Sequence, residues 1–265
     1  MLRLSTAWIA LLAMALLPVA APAEPRSHDG FDAVVIDPGH GGDDEGAHSS
    51  GGAMEKEVVL DVALRLAKRL RAQGLRVVLT RESDAFVPLE TRTSAANDAR
   101  AHLFVSIHAN WAPSEGPRGI ETYFASGQGS TDDSARGLAL RENSAFRSAT
   151  AAPSSAADPL QALFSDMIAA EDNQDSDVFA RLARKELLSL AGAARDVKQA
   201  PFIVLMGVQM AASLIEIGFL SNPADARALA SDSHREAIAR ALERAVIAFG
   251  KRYDARRGLS AGRPN

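Results

Sequence analysis

Three short apolar runs in this chain carry ionisable groups, and no other feature restricts its fold as much. AVVID leads into Pro38-Gly39-His40, LFVSI leads into His108, and SLIEIGF holds Glu216 in its middle. Apolar runs of this length bounded by turn residues are the mark of buried strands, and Pro38-Gly39 is such a boundary. An ionisable side chain in those surroundings is costly unless it is paired or bound to a metal. Three of them in one chain point to a single shared site.

Around these runs, strand and helix patterns alternate. Val58, Val59, Val62, Leu66 and Leu70 form a helical stripe within Glu55–Gln73, closed by Gly74. Further strands are predicted at Arg76–Thr80, Ile120–Phe124 and Phe202–Leu205, beside Ala33–Asp37, Leu103–Ile107 and Ser213–Ile217. Further helices are predicted at Leu89–Arg100 and from about Ser233 to Arg252, where Ile238, Leu242, Val246 and Phe249 share a face. Alternation of this kind gives an α/β fold: a single domain with a mostly parallel twisted sheet of about six strands and helices on both faces. Between Ala125 and Asp177 the pattern lapses into Gly, Ser, Ala and Asp with helical stretches. A structureless loop of that length does not belong in a compact domain, so residues 126–177 read as a functional helical insertion.

The ends are different. MLRLSTAWIALLAMALLPVAAPAEP has a basic start, an apolar core and small residues at Ala21-Pro22-Ala23, so residues 1–23 read as a signal peptide. Its apolar core is shorter than the roughly 20 residues of a spanning helix, so the chain is expected to be exported and not membrane-embedded. Residues 24–31 read as a linker and 251–265 as a basic, frayed tail. The net charge of −4 becomes −5 without the leader's Arg3, 28 Lys and Arg standing against 33 Asp and Glu. That balance argues against nucleic acid as a partner. With no cysteine, disulfides, thiolate ligands and a cysteine nucleophile are excluded.

In a parallel sheet the ends of strands carrying His40 and His108 lie on one edge, where ligands collect. Glu55 opens the first helix just after the loop GGDDEGAHSSGGAM and returns to that edge. Two imidazoles and one carboxylate there make a three-ligand zinc site with an open fourth position. Taken singly, each has a plainer reading: a hydrogen-bonded structural histidine, or an acid favoured by a helix N-terminus. Glu216, flanked by Leu214, Ile215, Ile217 and Phe219, should have a raised pKa and suit proton transfer; an acid paired with a distant Arg or Lys is the alternative. Among the other histidines, only His48 in the glycine loop competes as a ligand.

The segments VVIDPGHGG, EKEVVLDVALRLAKRL, VVLTRESDAFVPLETRTSAANDARAHLFVSIHAN, GIETYF and VKQAPFIVLMGVQMAASLIEIGFLSNPAD together resemble the zinc-dependent N-acetylmuramoyl-L-alanine amidases of the type 3 catalytic class. The resemblance covers about residues 32–250. It implies one Zn²⁺ held by His40, Glu55 and His108, with Glu216 as the catalytic acid/base. It further implies peptidoglycan as substrate, cut at the amide between N-acetylmuramic acid and L-alanine of the stem peptide, in the periplasm, during wall remodelling or daughter-cell separation. Two rivals stay open: another metal-dependent peptidoglycan peptidase of carboxypeptidase type, and a non-catalytic wall-binding module. Ile217 stands where a small polar residue is common in the family. Arg81 and Arg92 are expected as surface ion pairs or as partners for peptide carboxylates.

Related cell-division amidases carry, at the insertion, a helix that covers the metal and is displaced by an activator protein. Here Ala135, Leu138, Ala139, Glu142, Ala145, Phe146 and Ala149 fall at helical spacing, which puts Glu142 within the apolar stripe. A carboxylate facing inward would fill the open zinc position, making residues 126–177 regulatory; an acid at the stripe's edge is the competing expectation. A second stripe, Leu160, Leu163, Phe164, Met167 and Ile168, would dock the insertion or meet a partner.

Overall fold

All the predicted strands form except one. The computed structural model describes residues 30–127, 129–144, 170–190 and 196–259. Its strands are β1 (Ala33–Pro38), β2 (Arg76–Leu79), β3 (Leu103–Asn110), β4 (Glu121–Ala125), β5 (Lys198–Ala200) and β6 (Ala211–Phe219). Its helices are α1 (Glu55–Ala72), α2 (Leu89–Asp98), α3 (Asp133–Glu142), α4 (Ala170–Leu187), α5 (Ile203–Met206), α6 (Pro223–Leu229) and α7 (Asp232–Arg256). The strands make one sheet in the order β2-β1-β3-β6-β4-β5. The first four run parallel, and β4 turns antiparallel to β6 with β5 parallel beside it.

Phe202–Leu205 is the exception. Pro201 has no N–H to give a ladder, and the strand ends before it at Ala200. The apolar residues that follow coil into α5, burying Val204, Leu205 and Met206. A four-residue apolar run reads equally well as strand or buried helix, so sequence pattern could not separate the two.

The two faces of the sheet build two cores. On one, Val34, Ile36, Leu103, Val105, Ile107 and Ile215 meet the inward stripes of α1, α4 and α7. On the other, Ala33, Val35, Phe104, Tyr123 and Leu214 meet Ala96 of α2, Ala135, Leu138 and Ala139 of α3, and α5. Alternation along each strand therefore assigns Asp37, Ser106, His108, Glu121 and Glu216 to the second face, the one α3 covers.

Several boundaries move. Phe31, expected in the linker, is buried and its N–H donates to Asp254 at 2.6 Å. The last helix runs to Arg256, beyond the predicted end. Tyr253 packs edge-on against Phe31, Arg257 lies 4.0 Å over the Tyr253 ring, and Arg256 pairs with Asp175. The start of the expected tail is thus tied down by an aromatic cluster. Within the insertion, α4 begins at Ala170 and buries Asp175 and Ser176. The main-chain N–H of Ala212 donates to Ser176 Oγ at 2.8 Å. The end of that span belongs to the core. The leader at 1–23, the stripe from Leu160 to Ile168, Ala145, Phe146 and Ala149, and residues 260–265 lie outside the described residues.

Candidate metal centre and catalytic pocket

Register brings the chemistry together. His108 on β3 pairs with Glu216 on β6, and Glu216 pairs with Glu121 on β4. Adjacent strands lie about 4.8 Å apart, so the three side chains form one row on one face. Just past that row β6 carries an extra residue, at Gly218 with φ +148. Bulges of this kind end regular pairing beside functional sites.

His40 reaches the same place from β1 through a tight turn. It adopts a left-handed backbone, φ 56, which non-glycine residues seldom take. The preceding Gly39 lies under the His108 ring: a Cβ there would sit 2.3 Å from Cε1. His40 Nδ1 and Asp44 Oδ2 are 2.9 Å apart. A proton on Nδ1 given to Asp44 leaves the Nε2 lone pair free.

Four donor atoms then converge. His40 Nε2 lies 3.2 Å from Glu55 Oε1 and 3.4 Å from Glu142 Oε2. His108 Nδ1 lies 3.1 Å from each of the same two oxygens. Donor atoms of His40, His108 and Glu142 all fall within 4.8 Å of one another, the one such group among the described residues. Glu55, expected as a ligand, touches both imidazoles but is also tied to main chain: Oε1 accepts from Ala109 N at 2.9 Å and Oε2 from Ala47 N at 2.8 Å. The spacing Gly46 leaves is essential here, since a Cβ on it would lie 2.6 Å from Glu55 Oε2.

Two observations test this set against a cation. Donors about 2.0–2.2 Å from a tetrahedral centre stand about 3.3–3.6 Å apart, close to the imidazole–carboxylate separations found. His40 Nε2 is buried yet makes no hydrogen bond among the described residues, although two carboxylate oxygens are near. Its neighbours are placed for a common centre and not along its own N–H direction.

The charges agree. Burial opposes protonation of His40, but Glu55, with Asp44 and Glu142, holds it well above the ordinary histidine value. His108, against the same burial, is pushed up to about 10 by Glu142 and Glu55. Burial also works against the Glu142 carboxylate, but His108 and His40 hold it at about 2. Glu55 is likewise held low against burial by the two histidines. Two imidazolium ions and two carboxylates sum to zero. A divalent cation on two neutral imidazoles and the same carboxylates gives the same sum, and the two protons leave.

Glu216 is fully buried, and neither of its oxygens has a hydrogen-bond partner among the described residues. Burial pushes its proton affinity well up, and the charges of Glu55, Glu142 and Glu121 add to that. Glu121, which sequence reading passed over, is held by Asn110 Nδ2 at 3.0 Å, Tyr123 Oη at 2.9 Å and Lys198 Nζ at 3.2 Å. A charged residue opening a buried strand was the signal that could have marked it.

Glu142 ends α3, whose N-cap is Asp132 accepting from Ala135 N. Next to it, Arg141 donates to Asn110 Oδ1 at 3.0 Å and to the Trp111 carbonyl at 3.1 Å, tying the end of the helix to β3. Between α3 and the glycine loop opens a groove of about 630 Å³, lined by His40, Glu55, Trp111, Leu140 and Glu142. His48 lies in its wall, exposed, and pairs with Glu45 at 2.9 Å.

Arg81 and Arg92 are not surface residues. Both are buried, and Arg92 pairs with buried Asp37 at 2.8 Å. Their remaining hydrogen bonds go to main-chain carbonyls.

Residues 34–248 match the family model described as N-acetylmuramoyl-L-alanine amidase. The chain is 36% identical over 227 residues to the amidase AmiC of Neisseria meningitidis, covering 85% of this chain and 54% of that protein. It is 32% identical over 239 residues to AmiA of Escherichia coli, covering 90% and 83%. Among solved structures, an N-acetylmuramoyl-L-alanine amidase from Clostridium difficile superposes with TM-score 0.62 at 26% identity, over 83% of this chain and 97% of the other.

Proposed function

The chain belongs to the N-acetylmuramoyl-L-alanine amidase family, and from that premise we propose that it hydrolyses the amide joining N-acetylmuramic acid to L-alanine in peptidoglycan. The observation that carries the reading is the meeting of His40, His108 and the carboxylates of Glu55 and Glu142, with Glu216 beside His108 in the strand register. We assign the metal to one Zn²⁺, with His40, His108 and Glu55 as its resident ligands. When bound there, zinc supplies Lewis acidity toward the scissile carbonyl and the attacking water.

The chain's own groups do the rest. Asp44 holds the His40 ring in the tautomer that presents Nε2. Beside a bound dication Glu216 favours its carboxylate form; it takes a proton from the attacking water at one oxygen and returns it to the departing L-alanine amine. The groove below Trp111 and Leu140 holds the substrate strand and screens the reacting bond from bulk water.

Purified protein incubated with sacculi tests this. Intact stem peptides with a free N-terminal alanine should be released, EDTA should stop the release, and Zn²⁺ should restore it. Shortened stem peptides would instead mark a carboxypeptidase, and sacculus retention without any release would mark a binding module.

Glu142 adds a second layer. Its carboxylate lies within contact of both imidazoles, so in the resting protein it occupies the position substrate needs, and an activator acting on residues 126–177 would lift α3 away. Losing one charge-assisted contact of about 1.5–3 kcal/mol should raise basal hydrolysis by Glu142→Ala about tenfold to a hundredfold. Equal, low rates in variant and parent would refute the blocked state. The reading of residues 1–23 as an export signal supports a periplasmic location, and among the described residues no helix is long and apolar enough to cross a membrane.

A further inference from the structure

The left-handed turn that aims His40 has its carbonyls gathered by two buried arginines. Arg81 Nε donates to the Pro38 carbonyl at 3.1 Å, and its Nη2 to the carbonyls of Gly39 at 2.7 Å and Lys56 at 2.8 Å. Arg92 donates to the Pro38 carbonyl at 2.7 Å and to the His40 carbonyl at 2.7 Å. Three consecutive carbonyls, those of residues 38 to 40, thus accept from guanidinium nitrogens.

We propose that Arg81 and Arg92 are positioning residues that preset the metal site, by locking the His40 turn to the first turn of α1 and to the floor of the sheet. The link to α1 runs through Lys56, the residue after Glu55, so one guanidinium spans the two segments that carry His40 and Glu55. The link to the sheet runs through Asp37. Its Oδ1 accepts from Arg92 at 2.8 Å and from Thr80 at 2.6 Å, and its Oδ2 accepts from Ser106 at 2.8 Å.

The chemistry requires arginine. A planar fork of five donors can hold several carbonyls in fixed directions, whereas an ammonium is a single point of charge on a flexible stem. The turn itself leaves room for nothing else: a Cβ on Gly41, at φ +125, would lie 2.2 Å from the Ala85 carbonyl and 3.0 Å from Arg81 Cδ. A residue such as His40 in a left-handed conformation persists only where its surroundings over-determine it. Here the surroundings are the two guanidinium groups on one side and the His108 ring on the other. Burial and the neighbouring Arg92 charge pull Arg81 down to about 10, still a cation at neutral pH.

The inference rests on the metal site proposed above, and the experiment separates the two. Purified full-length protein, Arg81→Lys and Arg92→Lys are titrated with Co²⁺, with near-UV circular dichroism as the check on folding. Each lysine variant should bind Co²⁺ at least about tenfold more weakly than the parent, as supporting groups around metal ligands usually demand, and should show an altered visible d–d band. Folded variants with parental affinity and spectrum overturn the clamp. If neither variant folds, or if the parent itself fails to bind Co²⁺, hydrogen exchange of the Arg81 Nε–H, which donates to the Pro38 carbonyl, decides in the parent. Exchange at least about a hundredfold slower than in free arginine supports the clamp; exchange at the free rate overturns it. Parental failure to bind Co²⁺ refutes the metal site alone.

Discussion

Glu216→Gln should cut release of stem peptides from sacculi by about a hundredfold to ten-thousandfold, the usual contribution of a positioned acid/base, while metal content and melting temperature stay at the parental level. The second half of that expectation makes the first informative. Without metal, burial and the nearby carboxylates favour the neutral acid at Glu216, and neither oxygen has a partner among the described residues to lose. Glutamine has the same shape and matches the neutral acid of the metal-free protein, so folding loses nothing; with metal bound it removes the charge of a carboxylate that is not among the ligands. What glutamine lacks is a site for the proton of the attacking water. A variant with full activity would remove Glu216 from the reaction; one that melts early or loses metal would mean that the side chain acts through structure.

His108→Ala should lose both metal and activity. An apparent binding energy of about 10–16 kcal/mol shared among the three ligands leaves about 3 kcal/mol or more to each, so affinity should fall by at least about a hundredfold. Metal analysis after dialysis and the sacculus assay read the two losses together. The fold should survive, because His108 lies on the sheet face that carries the site, whereas Leu103, Val105, Ile107 and Ala109 of the same strand pack the core on the opposite face. The contrast with Glu216→Gln is the point of the pair. One variant keeps the ion and loses the proton carrier; the other keeps the carrier and loses the ion. If His108→Ala retained parental metal affinity, the convergence of imidazoles and carboxylates would have to be a purely ionic cluster.

Much of this was legible in the chain. Strands with fully buried, apolar sequences were recognisable because few other structures tolerate such runs, and His40, His108 and Glu216 stood out because ionisable groups in those runs need a reason. Glu142 was visible through its place in a helical stripe. Less visible were residues whose role depends on partners far away in sequence. Glu121 reads as an ordinary charged strand residue until register sets it opposite Glu216. Arg81 and Arg92 read as surface charges because arginine usually is one; only the closed structure shows the main-chain carbonyls that accept from them. Phe202–Leu205 failed for a local reason, since Pro201 and the short run left strand and helix equally open.

Local pattern alone therefore determined the class of fold, the edge on which the site sits and the side chains with the chemistry to occupy it. Those properties follow from periodicity and from the cost of burying charge, which act over a few neighbours. Tertiary structure decided the rest: which face α3 covers, the 3.1–3.4 Å separations among the imidazole and carboxylate atoms, and the clamping of the His40 turn. Each depends on groups brought together across tens to more than a hundred positions of chain, where sequence spacing carries no distance and only packing and strand register do.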